Sequence, residues 1–149
     1  MKFCASTVGY VRKPEKGSIY IEIKSEYWDA TLQLNQFSHI IVLWWITGRD
    51  NPTSRANLAG YPPKENAERS GVFATRSPAR PTPIGLSIVA IQKIDKKAHR
   101  IYIDQIDAYD ESPVIDIKPY MPFSDKVDSA RVPAWFRNNT PRYTSKPLE

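Results

Sequence analysis

Arg76 and Arg80 lie in the segment GVFATRSPARPTPIGL (71–86), where Pro78, Pro81 and Pro83 crowd together and no acid occurs between Glu68 and Asp95. A guanidinium grips a carboxylate or phosphate through two parallel hydrogen bonds, so arginines held at fixed positions make an anion site. Proline fixes its own φ and pushes the preceding residue into extended geometry, which constrains Ser77, Arg80 and Thr82 as well. The segment is therefore expected to be a nearly straight, polyproline-like strut. Gly85 behind it would allow backbone or ligand to approach closely. Two other readings stay open: a rigid loop with two surface arginines, and a proline-rich ligand, Pro78-Ala79-Arg80-Pro81, for an adaptor domain.

A second stretch, DQIDAYDESPVIDIKPY (104–120), gathers Asp104, Asp107, Asp110, Glu111 and Asp116. Carboxylates at this density suit a proton acceptor, a metal ligand or a hydrogen-bond acceptor. The spacing fits no calcium loop and no histidine lies close in sequence, so no metal is expected. Asp107, Asp110 and His39 are the candidate proton acceptors. For His39, at the head of an apolar stretch, a structural hydrogen bond is the competing role. A basic strut and an acidic turn, each beside a core strand, would make a pocket if they faced each other.

The elements that must position these groups are mainly strands. Ser18 to Lys24, SIYIEIK, alternates isoleucine with polar or aromatic residues, the period of a half-buried strand. His39 to Ile46, HIIVLWWI, is apolar throughout after its histidine and reads as a central strand buried on both faces. Leu86 to Ile94 and Arg100 to Ile106 are two more strands joined by a hairpin loop at 95–99. Val114 to Ile117 is a short fifth, and Thr7 to Val11 pairs early. Tyr27 to Gln36 has room for a turn or two of helix. Asp50 to Ser70 is polar and without period, long enough for a functional loop or lid. Thirteen prolines argue against long helices. The expected fold is mainly β, a small single-domain barrel with short helices and long loops.

The 149 residues suit one domain, with a barrel core over about 5–123 and a basic segment over 124–149. The longest apolar run, Ile40 to Ile46, is too short to cross a bilayer, and no secretory leader is evident, so a cytoplasmic protein is expected. The single cysteine, Cys4, excludes an internal disulfide framework. Net charge is +5, a mild excess compatible with an anionic partner. Arg131, Arg137 and Arg142 in the terminal segment, with Arg80, are the candidates for contact with nucleic-acid phosphates.

The blocks FSHIIVLWW (37–45), GVFATRSPARPTPIGLS (71–87) and ESPVIDIKPY (111–120) closely resemble the TsaA-like, YaeB/TrmO family, in the family's order. The resemblance implies an S-adenosyl-L-methionine-dependent methyltransferase on a small β-barrel, usually a homodimer. It further implies methylation of N6 on the threonylcarbamoyl-modified adenosine beside the tRNA anticodon. Carried over by motif, the cofactor site draws on Arg76, Leu86, Thr47, Gly48, and the turn Asp110, Glu111, Ser112 and Pro113. The chain departs from better-known members in four places. The early loop is shortened to Lys13-Pro14-Glu15-Lys16-Gly17, and Thr47-Gly48 stands where a His-Gln pair is usual. Glu111-Ser112 replaces Gly-Thr in the turn, and Thr82 replaces an asparagine. A second reading keeps the cofactor but assigns a small-molecule substrate or a sensing role.

Overall fold

The structure is a computed structural model that describes residues 1–136. Six strands close into a barrel, each antiparallel to its neighbours: β1 (Gly9–Arg12), β2 (Tyr20–Ile23), β7 (Arg100–Ile103), β6 (Ile84–Asp95), β3 (His39–Trp45) and β8 (Pro113–Pro119), which returns to β1. A two-stranded ribbon, β4 (Ala59–Gly60) with β5 (Ser70–Gly71), stands apart from it.

Alternation along the strands fills the barrel. Val11, Ile21, Ile40, Val42, Ile101 and Val114 point inward and have no exposed surface. Their β-branched shape suits the pleat and leaves no room for a ligand inside a barrel this small. A binding site must therefore lie at a rim, among the loops.

β3 departs from the expectation that both its faces are buried. Ile40, Val42 and Trp44 face the core, whereas Ile41, Leu43 and Trp45 lie half-buried on the outside. In a barrel only one face of each strand is interior, so the apolar outer residues form a ladder instead. Ile41 lies opposite Ile88, Leu43 opposite Leu86, and Trp45 opposite Ile84. Between Leu43 and Trp44 the pairing with β8 slips, so that Ile115 has no partner on β3. Such a bulge bends the strand and opens the barrel locally. It sits at the end where the loops after β3 and before β8 meet.

Tyr27 to Gln36 forms two short 3-10 segments, Ser25–Thr31 and Leu34–Gln36. The 50–70 region is more ordered than its composition suggests. A 3-10 turn (Thr47–Arg49) leads to α1 (Pro52–Arg55), which is capped by Asn51 accepting from the Ser54 amide at 2.9 Å. A short helix, α2 (Pro122–Asp125), follows β8, and a 3-10 turn, Ala134–Phe136, follows it. Among the described residues no helix is long and apolar enough to cross a membrane.

Candidate functional site

The proline segment is not a straight strut. Its backbone bends from Pro78 through Thr82. Arg80 turns back on its own loop, its Nη1 donating to the carbonyls of Thr75 (3.1 Å) and Ser77 (3.4 Å). Asn57 Nδ2 anchors the same loop at the Ala79 carbonyl, 2.9 Å away. Ala79, which is neither a proline nor followed by one, keeps the freedom to turn the chain. With Arg80 and Pro81 half-buried and the chain bent, Pro78-Ala79-Arg80-Pro81 does not offer an extended ligand to an adaptor domain.

This bent loop forms one wall of a cleft of about 730 Å³ at the bulged end of the barrel. That volume lies within the usual range for small-molecule sites. The loop after β3 supplies Thr47, Gly48 and Arg49; the proline loop supplies Arg76 and Arg80; β6 supplies Ile84, Gly85 and Leu86. Asp107, Tyr109 and Ser112 close it from the β7–β8 connection, and Trp44 forms part of the floor. Three arginines and one carboxylate thus line one partly apolar space, an arrangement suited to an anion joined to an apolar or aromatic body.

Gly85 decides what the floor presents. A Cβ built there would lie 2.3 Å from Trp44 Cε2, so only glycine lets the indole pack flat against β6. Trp44 is held there by its Nε1–H donating to Ser87 Oγ at 3.1 Å, and it is 8% exposed.

The turn before β8 is pinned to β1. The Glu111 amide donates to the Val11 carbonyl at 2.8 Å, and the Val11 amide donates to the Ser112 carbonyl at 3.0 Å. Glu111 adopts a positive φ of 63°, the left-handed conformation in which glycine carries no Cβ penalty. Its carboxylate meets Arg12 Nη1 at 3.3 Å, an interaction that a glycine could not make.

The shortened loop after β1 has a structural part. The Lys13 amide donates to Asp110 Oδ1 and Lys13 Nζ donates to the Ile106 carbonyl, both at 2.7 Å. Asp110 is thereby engaged outside the cleft walls. Glu111 and Pro113 flank the cleft through Ser112 but do not line it.

Of the residues singled out in the sequence, the structure brings Thr47, Gly48, Arg76, Arg80, Leu86, Asp107 and Ser112 to one cleft. It does not bring His39 there. His39 opens β3, five residues from Trp44 and so roughly 17 Å along the strand, with Nδ1 2.8 Å from Ser38 Oγ. Arg131 is exposed after α2, away from the cleft lining. Arg137 and Arg142 lie outside the described residues. Arg49 and Tyr109 line the cleft without having been anticipated. Each is adjacent to a motif position, Gly48 and Asp110, and that adjacency was the available signal. Among the described residues no cluster of histidine, cysteine or acid side chains is arranged to hold a metal ion.

The loop carrying Thr47 to Arg49 is closed by Asp50. Its carboxylate accepts from Arg55 Nε through Oδ1 and from Trp45 Nε1 at 2.8 Å through Oδ2, and Arg55 stacks 5.5 Å from the Trp45 ring centre. The Arg55 hydrogen bond, then that from Trp45, lowers the Asp50 pKa below its ordinary 3.8. A lowered carboxylate pKa stabilises the fold above the unfolded-state value, and that contribution is lost as pH falls through the folded value. Asp50→Asn is therefore expected to melt earlier than the wild type at neutral pH. The gap should close as pH falls below the carboxylate range in a thermal-denaturation series. A gap that persists unchanged in strong acid would remove the ionised carboxylate from this role.

The fold and cleft define a small antiparallel barrel with an arginine-lined, partly apolar cleft at one rim. Residues 10–126 match the tRNA-methyltransferase O N-terminal domain, and the chain belongs to that family. It is 45% identical over 108 residues to an S-adenosyl-L-methionine-binding protein of Archaeoglobus fulgidus, covering 72% of this chain and 73% of that one. It is 36% identical over 124 residues to the tRNA (adenine(37)-N6)-methyltransferase of Escherichia coli, covering 79% of this chain. The match takes in 51% of that enzyme, about half its length. The crystal structure of TrmO from Pseudomonas aeruginosa superposes with a TM-score of 0.67 at 28% identity, covering 88% of this chain and 62% of that one.

Proposed function

We propose that the cleft binds S-adenosyl-L-methionine and that the protein is a methyltransferase dependent on it, acting on N6 of threonylcarbamoyl-adenosine 37 of tRNA. The observation that carries this reading is the pairing of Arg49, Arg76 and Arg80 with an aromatic and aliphatic floor in one cleft. The cofactor has matching parts: a carboxylate-bearing tail, a sulfonium and an adenine ring. Arg76 is the residue for the carboxylate. Leu86 and Ile84 offer an apolar wall for adenine, with Ser112 and the backbone of its turn as polar partners. The Trp44 face suits the sulfonium. When bound, the cofactor supplies an electrophilic methyl group.

The protein's part is to hold donor and acceptor in line and to keep water out. Asp107 supplies a carboxylate to the cleft walls, and the reading gives it the proton shed by the acceptor nitrogen. The reading places the protein in the cytoplasm, with tRNA. It also takes the protein to be a homodimer, as the family resemblance implies.

Nucleoside mass spectrometry of tRNA from a deletion strain tests the substrate. The N6-methylated threonylcarbamoyl nucleoside should disappear and return on complementation, whereas an unchanged level would exclude the tRNA assignment. A second reading, cofactor binding with a small-molecule substrate or a sensing role, is favoured by the name of the Archaeoglobus fulgidus relative, which speaks only of binding. Methyl-labelled cofactor incubated with purified tRNA separates the two, since only the first reading labels RNA.

A further inference from the structure

A face of the barrel that takes no part in the cleft carries an ordered array of aromatic and cationic side chains. Alternation on β1, β2 and β7 sends Val11, Ile21 and Ile101 inward and leaves Tyr10, Arg12, Tyr20, Glu22, Arg100 and Tyr102 outside. The strand register sets them in rows. Arg12 lies opposite Tyr20, Tyr20 opposite Tyr102, and Tyr102 opposite Lys93. In the next row Tyr10 lies opposite Glu22, Glu22 opposite Arg100, and Arg100 opposite Asp95.

The rings hold the cations in place. The Arg100 guanidinium carbon lies 4.4 Å from the Tyr20 ring centre and Lys93 Nζ 5.6 Å from that of Tyr102. Arg12 and Lys24 approach Tyr10 at 5.3 and 5.9 Å. A lysine or arginine resting on an aromatic face has already lost part of its rotamer freedom, so it binds an anion at a smaller entropic cost.

The charge balance of the face points to a polyanion. Lys96 and Lys97 in the β6–β7 hairpin join Arg12, Lys24, Lys93 and Arg100, against the carboxylates of Glu22, Asp95 and Glu111. Asp95 is turned into the hairpin, accepting from the amides of Lys97 and Ala98 at 3.0 Å. Glu22 and Glu111 are both paired with Arg12. The carboxylates of this face are thus engaged by its backbone and by Arg12, and Lys24, Lys93 and the hairpin lysines supply the excess positive charge.

The array is also continuous with the cleft. On its other side Tyr10 lies opposite Pro113, next to the cleft residue Ser112. From Pro113 across β1, β2 and β7 to β6 is four strand steps, roughly 19 Å along the curved surface.

We propose that this face docks the phosphate backbone of the RNA that flanks the reacting nucleotide. The inference rests on the reading that the substrate is tRNA. A base entering the cleft beside Ser112 then leaves its neighbours lying over Tyr10, and their phosphates over the cations beyond. Tyrosine with interleaved cations on the outside of a small barrel is the chemistry of a single-strand-binding surface.

The test uses Lys24→Gln/Lys93→Gln, with Lys24→Arg/Lys93→Arg as the charge-keeping control, and a fluorescein-labelled RNA hairpin of anticodon-arm sequence. Anisotropy titrations over a salt series should show the glutamine variant binding roughly 20-fold more weakly at about 0.1 M salt. The slope of log K against log salt should be smaller by about 1.4, or about 0.7 for each phosphate that is no longer neutralised. The arginine variant should match wild type, and S-adenosyl-L-methionine affinity should be the same in all three. Unchanged affinity and slope in the glutamine variant overturn the proposal. So does lysine-dependent binding to phosphatidylserine vesicles without binding to the hairpin, which would make the face a membrane surface. If wild type binds the hairpin through these lysines but methylates no tRNA, the reaction falls and the docking face stands. If the glutamine variant methylates tRNA with unchanged KM, the face falls and the reaction stands.

Discussion

Gly85→Ala is expected to damage the cleft and the fold together. A Cβ at this position would come within 2.3, 2.5 and 2.6 Å of three atoms of the Trp44 indole. The obstacle is a rigid bicyclic ring in the core, not the loose end of a long side chain, so it cannot simply rotate aside. Either Trp44 leaves its position and breaks its hydrogen bond to Ser87, or β3 and β6 move apart where Trp44 pairs with Gly85. Overpacking of this kind costs about 1–3 kcal/mol. For a chain of this length that corresponds to a fall in Tm of about 2–12 °C. Because Trp44 is also the cleft floor, affinity for S-adenosyl-L-methionine should fall in the same variant even at temperatures where it stays folded. Differential scanning fluorimetry and calorimetry read the two effects separately. A variant with wild-type Tm and wild-type affinity would show that the floor is not built as described.

Arg76→Ala is expected to act on binding alone. Arg76 projects from a loop into the cleft and makes no part of the core, so removing it should leave stability within about 0.5 kcal/mol of wild type. A charge-assisted hydrogen bond to the cofactor's carboxylate is worth about 2 kcal/mol, or roughly thirtyfold in Kd. Arg76→Lys should recover only part of this, since an ammonium keeps the charge but not the planar fork. Decarboxylated cofactor offers a matched control: it should bind wild type and Arg76→Ala with similar, weak affinity. Equal affinity of wild type and Arg76→Ala for the intact cofactor would remove Arg76 from the site.

The strands were legible because their period is strong and local. IYIEI and RIYI alternate regularly enough to place strands within 18–24 and 100–106, and the observed strands, Tyr20–Ile23 and Arg100–Ile103, are shorter pieces of those stretches. The β4–β5 ribbon was not legible, because two-residue strands exist only through a pairing between Ala59 and Gly71 that no local period announces. The proline loop shows a different limit. Each proline constrains the backbone at and just before itself, yet the path of the loop is set by Arg80 donating to Thr75 and Ser77, a contact invisible to propensity.

The site divides in the same way. Arg76, Leu86, Thr47 and Gly48 could be placed together because their motifs carry a family pattern. Asp110 was grouped with them for the same reason, but its carboxylate is engaged by the Lys13 amide. Arg49 and Tyr109 enter the cleft only once the bulged end of β3 and the pinned turn at 109–112 are brought together in space.

Calorimetric titration of S-adenosyl-L-methionine into the purified wild-type protein decides whether the arginine-lined cleft recognises it. Saturable binding is predicted, with a rise in Tm on saturation and both effects reduced in Arg76→Ala. No heat of binding and no thermal shift in the wild type would contradict the account.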